Sequence, residues 1–575
     1  METVLGIGDR YHDSNAALVA ENGKILFAAA EERFSRIKKH GFMVVPSEKG
    51  FPKRTISWIL QSKKPQGKKT KNIAVAGLGS KEFFQRTRQC FLFRKRHSLR
   101  DTIKTHAKNP KNFAALALNI NASKHNPGYH TELARFGLGK AKYFDHHFCH
   151  AASAFYSSGY KKTAVLTIDY LGDWYSGSFF LGENNSLERK KFWWFDSLTT
   201  CKRYDTITAM LGYNPIKHAG KITGLAAFGK PNKKLEQKLL DYFKTEIKKW
   251  DYLEKPIEQA LHNDRKKFSK YRDADIALAL QQITEKSVLE LLESLKQNYS
   301  INRLALAGGL FANVKLNMRI HDACAKKIFI HPAMGDEGTA YGAAALLLAK
   351  KGLEPKRLNN VYFGPEYSER QIETELKKQS VKFEKVRGIE MQIAELLAKG
   401  KVIARFDGRM EYGPRALGNR SILCQPTDKT VNDWLNKRLK RTEFMPFAPS
   451  ILKEHAKKCL LNTAGAEYTA EFMNIAFDCT PWFAENCPAV VHIDNTARPQ
   501  LVSKSVNNSY YKIIDEYRKI TGLPAIINTS FNMHEEPIVC SPFDAIRAFK
   551  LGHLDYLAIG NCLAKNTQTK KSGSN

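Results

Sequence analysis

At 575 residues the chain is too long for one hydrophobic core, so two or more domains are expected, and a hydrophobic content of 43% is ample for globular folding. The longest apolar run at helical spacing, 340–349, is about half of what spans a bilayer, so no transmembrane helix is expected. The formal charge of +34 excludes little, because a nucleic-acid groove, a surface for anionic substrates and a lysine-rich proteome would all produce it. The N-terminus shows no basic leader before its first strand, which points to the cytoplasm. Ten cysteines are scattered without a C-x-x-C pair, so neither a disulfide framework nor a thiolate zinc site is expected.

Residues 3–8 (TVLGIG) predict an apolar strand, 9–13 a polar loop, and SNAALVA and KILFAAA a hairpin around Glu21-Asn22-Gly23. The pattern returns at 163–195, where TAVLTID, the loop YLGDW, YSGSFFLG and SLERKKFWWFD follow one another. Either two ordinary hairpins coincide or the segment is duplicated, and we expect duplication. Such a repeat, with a Gly/Asp loop after its first strand, is the pattern of the actin-like nucleotide-binding fold, in which two loops face one cleft. Between the copies lies a basic insertion at about 61–140, expected as a lid or a substrate-shaping element. Residues 273–299 predict a long helix and 303–309 a strand. Gly308 and Gly309 then open a strand-to-helix turn, suited either to a nucleotide against the backbone or to tight packing. A mixed α/β architecture follows, with an N-terminal domain over 1–360, a linker at 361–385, a second α/β domain over 386–565 and a tail at 566–575.

Several side chains invite chemistry. His146 and His150 are four apart at the start of a predicted helix, so one face presents both imidazoles; with Asp336 from a glycine-rich loop they suit Fe(II) or Zn(II). The alternative is a histidine pair capping the helix through hydrogen bonds. His12, beside Asp13, is a candidate general base, or a residue bonding only to backbone. Lys221 and Gly224 sit in a glycine-rich basic stretch, GKITGLAAFGKP, read as a phosphate-touching turn. Asp169 and Asp173 flank the second loop, orienting a metal or nucleotide or capping the hairpin. In the second domain, Arg409, Arg415 and Arg420 alternate with Gly408, Gly413 and Gly418. Lys437, Arg438, Lys440 and Arg441 follow, a composition that suits phosphate.

HDSNAAL at 12–18, DHHFCHAASAFYSSG at 145–159, TGLAAFGKP at 223–231, AGGLFANVKLN at 307–317 and MGDEGTAYGAA at 334–344 occur in order. GRMEYGPRALGNRSIL at 408–423, FMPFAPSIL at 444–452, TARPQLV at 496–502 and NTSFNMHEEPIV at 528–539 follow them. With these motifs the chain resembles the NodU/CmcH family of O-carbamoyltransferases over nearly its whole length. The resemblance implies an N-terminal domain of the threonylcarbamoyl-transfer type, with the actin-like duplication, and a C-terminal YrdC-like domain. It implies that ATP and carbamoyl phosphate form carbamoyl-adenylate in the second domain, through Arg415, Arg420, Arg441, Arg498, Asn528 and Ser530. It further implies that the first domain passes the carbamoyl group to a hydroxyl of a sugar or natural product. There His146, His150 and Asp336 would hold Fe(II), Gly308, Gly309 and Asn313 would contact adenosine, and His12 would deprotonate the acceptor; Mg(II) could accompany ATP.

Two departures stand out. His534 and Glu535 replace an expected arginine after NTSFN, and Met445 stands where an arginine often precedes PFAP, leaving Lys440 as a substitute contact. The charge keeps a tRNA threonylcarbamoyl-transfer enzyme as an alternative, and a non-catalytic nucleotide-binding regulator is a second. The full GRMEYGPRALGNRSIL stretch favours a small-molecule acceptor over nucleic acid, and a homodimer is left open.

Overall fold

The computed structural model describes residues 2–8, 12–41, 44–45, 50–62, 72–78, 82, 85–89, 132–195, 197–246, 264–440 and 446–566. Most of the expected insertion, together with Arg441, Met445 and the tail beyond 566, lies outside the described residues. The chain divides into two compact units: Met1–Glu31, Lys39–Ala312 and Phe329–Leu358 form the first; Glu32–Lys38, Asn313–Ile328 and Asn359–Asn575 form the second.

In the first unit, β1 (Thr3–Gly8), β2 (Asn15–Ala20), β3 (Ile25–Ala30), β4 (Asn72–Ala76) and β5 (Ala141–Phe144) form one sheet, in the order β3-β2-β1-β4-β5. A second sheet contains β6 (Lys162–Gly172), β7 (Tyr175–Glu183), β8 (Ser186–Trp194), β9 (Arg303–Ala307) and β10 (Lys327–Ile330), in the order β8-β7-β6-β9-β10. Counted from each copy's first strand, both orders are the same. An antiparallel meander is extended by a fourth strand that runs parallel to the first, β4 along β1 and β9 along β6. The duplication expected from the hairpins is therefore present as topology. β4 and β5 were not expected: β4 falls inside the stretch read as an insertion, where its NIAVA run is too short to show periodicity, and β5 follows directly after that stretch.

β1 and β2 are buried along their whole length, as strands covered on both faces must be. On one face Ile56 and Ile59 of the Lys53–Ser62 helix join Leu5, Ile7, Leu18 and Val75 in a core. The Thr339–Lys350 helix covers β1 from the other side. Its sequence, TAYGAAALLLAK, is rich in small residues, and the backbones approach closely. A Cβ on Gly6 would meet the Ala340 carbonyl oxygen at 1.9 Å, and one on Gly342 would meet that of Cys149, in the His146–Ser158 helix, at 1.8 Å.

The second unit is built on β11 (Glu384–Lys385), β12 (Ile403–Phe406), β13 (Arg420–Cys424), β14 (Ala448–Leu452), β17 (Gln500–Val502), β18 (Ala525–Ser530), β19 (Tyr556–Ile559) and β20 (Cys562–Lys565). They form an eight-stranded mixed sheet in the order β11-β20-β19-β12-β13-β18-β14-β17, beside a short ladder of β15 (Phe477–Asp478) and β16 (Thr496–Ala497). Residues 361–385, expected as a linker, are instead structured. A Ser368/Gln371 capping box starts the Glu369–Lys378 helix, which buries Ile372 and Leu376, and β11 follows as an edge strand. Among the described residues no helix is long and apolar enough to cross a membrane.

The approach at Gly342 has a measurable consequence. Gly342→Ala should lower stability by about 1–3 kcal/mol or more through overpacking, seen as a lower midpoint in thermal unfolding. Unchanged unfolding would mean that the two helices tolerate separation.

Candidate active site

The His146–Ser158 helix begins where Asp145 accepts the Phe148 N–H at 2.9 Å and ends at Gly159 in the left-handed region, φ 72°. Helical periodicity puts His146 and His150 on one face and turns His147 away. His147 bonds Thr167 Oγ1 at 2.8 Å and the Tyr175 carbonyl at 3.0 Å, and burial pulls its pKa down to about 4, so it is a neutral structural residue. Asp173, read as a hairpin cap or an orienting acid, accepts the His146 N–H at 2.8 Å and the Leu78 N–H at 3.1 Å. Gly172 leaves room for the imidazole beside it, since a Cβ there would meet His146 Cδ2 at 2.0 Å.

The two Nε2 atoms lie 3.0 Å apart, and Asp336 Oδ1 sits 3.4 Å from His146 and 3.3 Å from His150. Asp169 adds a fourth donor, with Oδ2 3.1 Å from His150 Nε2. These four buried groups offer donor atoms all within 4.8 Å of one another. His150 Nδ1 is buried and has no hydrogen-bond partner among the described residues. Two imidazoles and two carboxylates converging on one point fit a divalent cation of the Fe(II) or Zn(II) type. The protein's own charges point the same way. Burial works against charge on His150, yet the hydrogen bonds of Asp169 and Asp336 raise its pKa to about 9, so the cluster attracts positive charge. The sequence offers Asp169 as an acid orienting a metal or nucleotide or capping the hairpin, but its distance of 167 residues from Asp336 conceals the pairing.

His12 stands at the end of the first copy's loop, half-buried, with Nδ1 2.9 Å from Asp13 Oδ2; the same oxygen takes the Lys39 Nζ at 2.6 Å. Asp13 adopts φ 58°. Burial favours its neutral form, but Lys39 and His12 hold its carboxyl well below the usual range. An ionised Asp13 must accept from Nδ1–H, which leaves Nε2 as the second ring nitrogen. Asn15 joins this loop to the metal cluster, donating to the Asp13 carbonyl at 2.8 Å and the Asp336 carbonyl at 2.9 Å while accepting the Ala340 N–H at 3.1 Å.

The expected nucleotide residues are differently engaged. Gly308, at φ 109°, abuts β6, where a Cβ would meet the Ile168 carbonyl oxygen at 2.2 Å, and the Gly309 N–H donates to Asp169 Oδ2 at 3.0 Å. The pair therefore serves tight packing and orients a cluster carboxylate. Asn313 caps the Val314–Cys324 helix of the second unit through the Leu316 N–H. Lys221 and Gly224 are not in a turn: both lie within the Pro215–Ala226 helix, started by the Asn214 cap and Pro215 and held by Ile222 and Ala226 in a core.

In the second unit the arginines divide. Arg415 and Arg498 are half-buried, whereas Arg420 is fully buried. Arg420 Nη1 donates to the carbonyls of Asp407 and Asn419 at 2.8 and 2.9 Å, and Nη2 to those of Pro365 and Gly408 at 3.0 and 3.1 Å. Its guanidinium carbon lies 3.7 Å from the centre of the Phe406 ring. This corrects the expectation of a phosphate ligand: the fork is committed to backbone. Asn528 Nδ2 reaches the Ala416 carbonyl, Ser450 Oγ and Gln500 Oε1, at 3.2, 3.1 and 2.9 Å, while its buried Oδ1 has no partner among the described residues. Ser530 is half-buried at the end of β18, paired with Ser421, and Lys440 is exposed. At the loop carrying the His534 departure, Arg36 donates to the Pro537 and Ile538 carbonyls at 2.7 and 2.6 Å, a contact invisible in sequence.

A four-donor cluster beside a histidine–carboxylate pair, with an arginine loop in a separate α/β unit, suits an enzyme of group transfer. Residues 3–345 match the family described as Carbamoyltransferase N-terminus, and residues 394–566 match Carbamoyltransferase C-terminus. The chain belongs to the carbamoyltransferase family. It is 32% identical to the uncharacterized protein MJ1058 of Methanocaldococcus jannaschii, covering 98% of this chain and all of that one. It is 31% identical to Nodulation protein NolNO of Sinorhizobium fredii, covering 98% of this chain and 80% of that one. Among solved structures it is similar to component A of (R)-2-hydroxyglutaryl-CoA dehydratase from Acidaminococcus fermentans, with 13% identity and TM-score 0.35, covering 61% of this chain and 99% of that one. Full-length HypF in its phosphate- and nucleotide-bound form is similar with 11% identity and TM-score 0.31, covering 62% of this chain and 56% of HypF.

Asp169→Asn should weaken binding of Zn(II) or Co(II) by about tenfold or more, as loss of a ligand or of its supporting charge does. Titration of the purified protein with Co(II), followed by its visible spectrum, reads this directly. Unaltered affinity and spectrum would remove Asp169 from the cluster's function.

Proposed function

We propose that this carbamoyltransferase works in two steps, one in each unit. In the second unit, water cleaves carbamoyl phosphate to carbamate and inorganic phosphate, and the carbamate oxygen then attacks the α-phosphorus of ATP, displacing pyrophosphate and leaving carbamoyl-adenylate. In the first unit, a hydroxyl oxygen of a sugar or natural-product acceptor attacks the carbamoyl carbon and AMP leaves. The observation that carries this reading is that the cation-ready cluster with His12 and the arginine loop with Asn528 belong to different compact units.

Arg415 and Arg498 would hold the phosphates, since guanidinium forks match phosphate oxygens. Lys440 and Ser530, and Arg441 outside the described residues, would complete the binding of donor and ATP. Asn528 Oδ1, a buried acceptor without a partner, would take an N–H of the carbamoyl group, a donor that an acetyl-type phosphate lacks. His146, His150 and Asp336, with Asp169 beside them, would hold the metal, which we take to be Fe(II). When bound, it would supply a Lewis acid for the adenylate phosphate. Mg(II) would accompany ATP. The nine described cysteines are all free, which supports a reducing compartment such as the cytoplasm.

His12 Nε2 would receive the acceptor's proton. Burial opposes charge on this ring, but the hydrogen bond and field of Asp13, aided by Asp336, raise its pKa to about 9. At pH 7 the neutral form is then about one in a hundred. Because the base must be neutral, the transfer step should accelerate as pH rises from 7 toward 9. Asp13→Asn removes the raising influence, so it should move the midpoint to lower pH and reduce the plateau. Acceptor carbamoylation measured across pH 6–10 checks both, and a profile that is flat or falls toward alkaline pH argues against His12 as base.

For the first step, Arg415→Ala should abolish pyrophosphate release that depends on both ATP and carbamoyl phosphate. Undiminished release would remove Arg415 from activation.

A further inference from the structure

The arginine loop is organised by an anion of the protein's own. Glu411 is buried, 4% exposed, and its Oε1 accepts three backbone N–H groups: Leu417 at 2.8 Å, Asn419 at 2.7 Å and Arg420 at 3.1 Å. Gly418, at φ 111°, makes the turn that lets these donors converge, and its own N–H goes to Ser421 Oγ at 3.0 Å. Successive amides around a left-handed glycine form a nest of the kind that binds phosphate. Here a carboxylate fills it. Oε2 of Glu411 is buried without a hydrogen-bond partner among the described residues, so the carboxylate is held through a single oxygen.

The covalent geometry gives this contact its reach. Glu411 precedes Tyr412, Gly413, Pro414, Arg415 and Ala416, and its side chain returns to the amide of Leu417. The segment bearing Arg415 is thereby closed into a ring by one carboxylate. The closing point is fixed independently on both sides. Glu411 forms an antiparallel bridge with Tyr362, and the Tyr412 N–H donates to the Val361 carbonyl at 2.7 Å. The carbonyls of Ala416, Leu417 and Gly418 are held by Asn528, by Tyr362 with Gln500, and by Arg405. The Gly413 carbonyl oxygen accepts from Arg33 Nη2 at 2.9 Å.

We infer that Glu411 is the positioning residue for Arg415: its carboxylate occupies the nest, locks both ends of the 412–416 loop together, and directs donor-phosphate binding to the guanidinium rather than to the backbone amides. The inference rests on the reading of Arg415 as an activation-site residue. Glu411 touches neither substrate nor cofactor in this role. With the nest filled, a phosphate cannot settle one turn away from the guanidinium, and Arg415 loses less conformational freedom on binding.

The test uses the full-length protein with Glu411→Gln, Glu411→Ala and Arg415→Ala. Glu411→Ala should lower kcat/KM for carbamoyl phosphate in pyrophosphate release by about 100-fold, the scale at which a misplaced group costs rate. Glu411→Gln, which keeps shape and one acceptor oxygen but removes charge, should lie between it and the parent. Hydrogen exchange read by mass spectrometry should accelerate in the peptide covering 412–423 and stay unchanged in β12 and β18. Added formate should restore part of the Glu411→Ala activity by refilling the nest. If Glu411→Ala does not fold, the Gln variant carries the comparison. Unchanged kcat/KM in a folded variant overturns the inference, as does lost activity without faster exchange at 412–423. Full pyrophosphate release by Arg415→Ala would instead overturn the activation-site reading, while local exchange in the Glu411 variants would still report the clamp.

Discussion

The first unit depends on how closely three backbones can approach. The Thr339–Lys350 helix lies against β1 at Gly6 and against the His146–Ser158 helix at Gly342, with no room for a side-chain carbon at either point. Close-packed interiors make such contacts nearly all-or-none, because displaced atoms have nowhere to go. Asp336 sits immediately before one helix and His146 and His150 at the start of the other. The separation of the helices therefore sets the separation of the donor atoms. Gly172 and Gly308 extend the same principle to β6, one making room for an imidazole and the other bringing Gly309 to Asp169.

Duplication explains why the site forms where it does. The loop after β1 carries His12 and Asp13, whereas in the second copy Asp169 lies within β6 and Asp173 in the turn between β6 and β7. Their carboxylates perform different tasks. Asp13 supports the histidine, Asp169 joins the cation cluster, and Asp173 fixes the backbone of His146. The two copies thus supply acid groups near the ends of their first strands, and local partners give each its chemistry.

The second unit uses charged groups as struts. Arg420 is buried and bonded to backbone carbonyls, Arg405 is buried and bonds the Gly418 carbonyl and the side chains of Asn419, Asp407 and Ser509, and Glu411 collects backbone amides from the same loop. Removing one partner from such a network leaves buried groups unsatisfied, at a cost of about 1–3 kcal/mol each. That cost keeps the loop in one conformation. An arginine-rich stretch is therefore not uniform: Arg420, bonded to four carbonyl oxygens, is a fully buried internal brace, while Arg415 and Arg498 are half-buried.

Much was legible in the amino-acid sequence, and the legible parts share a physical origin. The paired hairpins, the i,i+4 histidines and the boundaries of long helices arise from periodicity over a few residues, which local sequence records. The nine ordered motifs located the family in the same way. The sequence mistook the Lys221 and Gly224 segment for a turn because glycine is a weak helix residue in isolation, while its Asn-Pro start and buried face prevail in the fold. It also passed over β4 and the capped helix at 369–378. Only the tertiary structure brought Asp169 to His150, committed Arg420 to four carbonyls, set Glu411 in its nest and carried Arg33 and Arg36 into the second unit. These contacts join residues separated by turns, strands or hundreds of positions. Their geometry is decided by packing, which no short stretch of sequence contains.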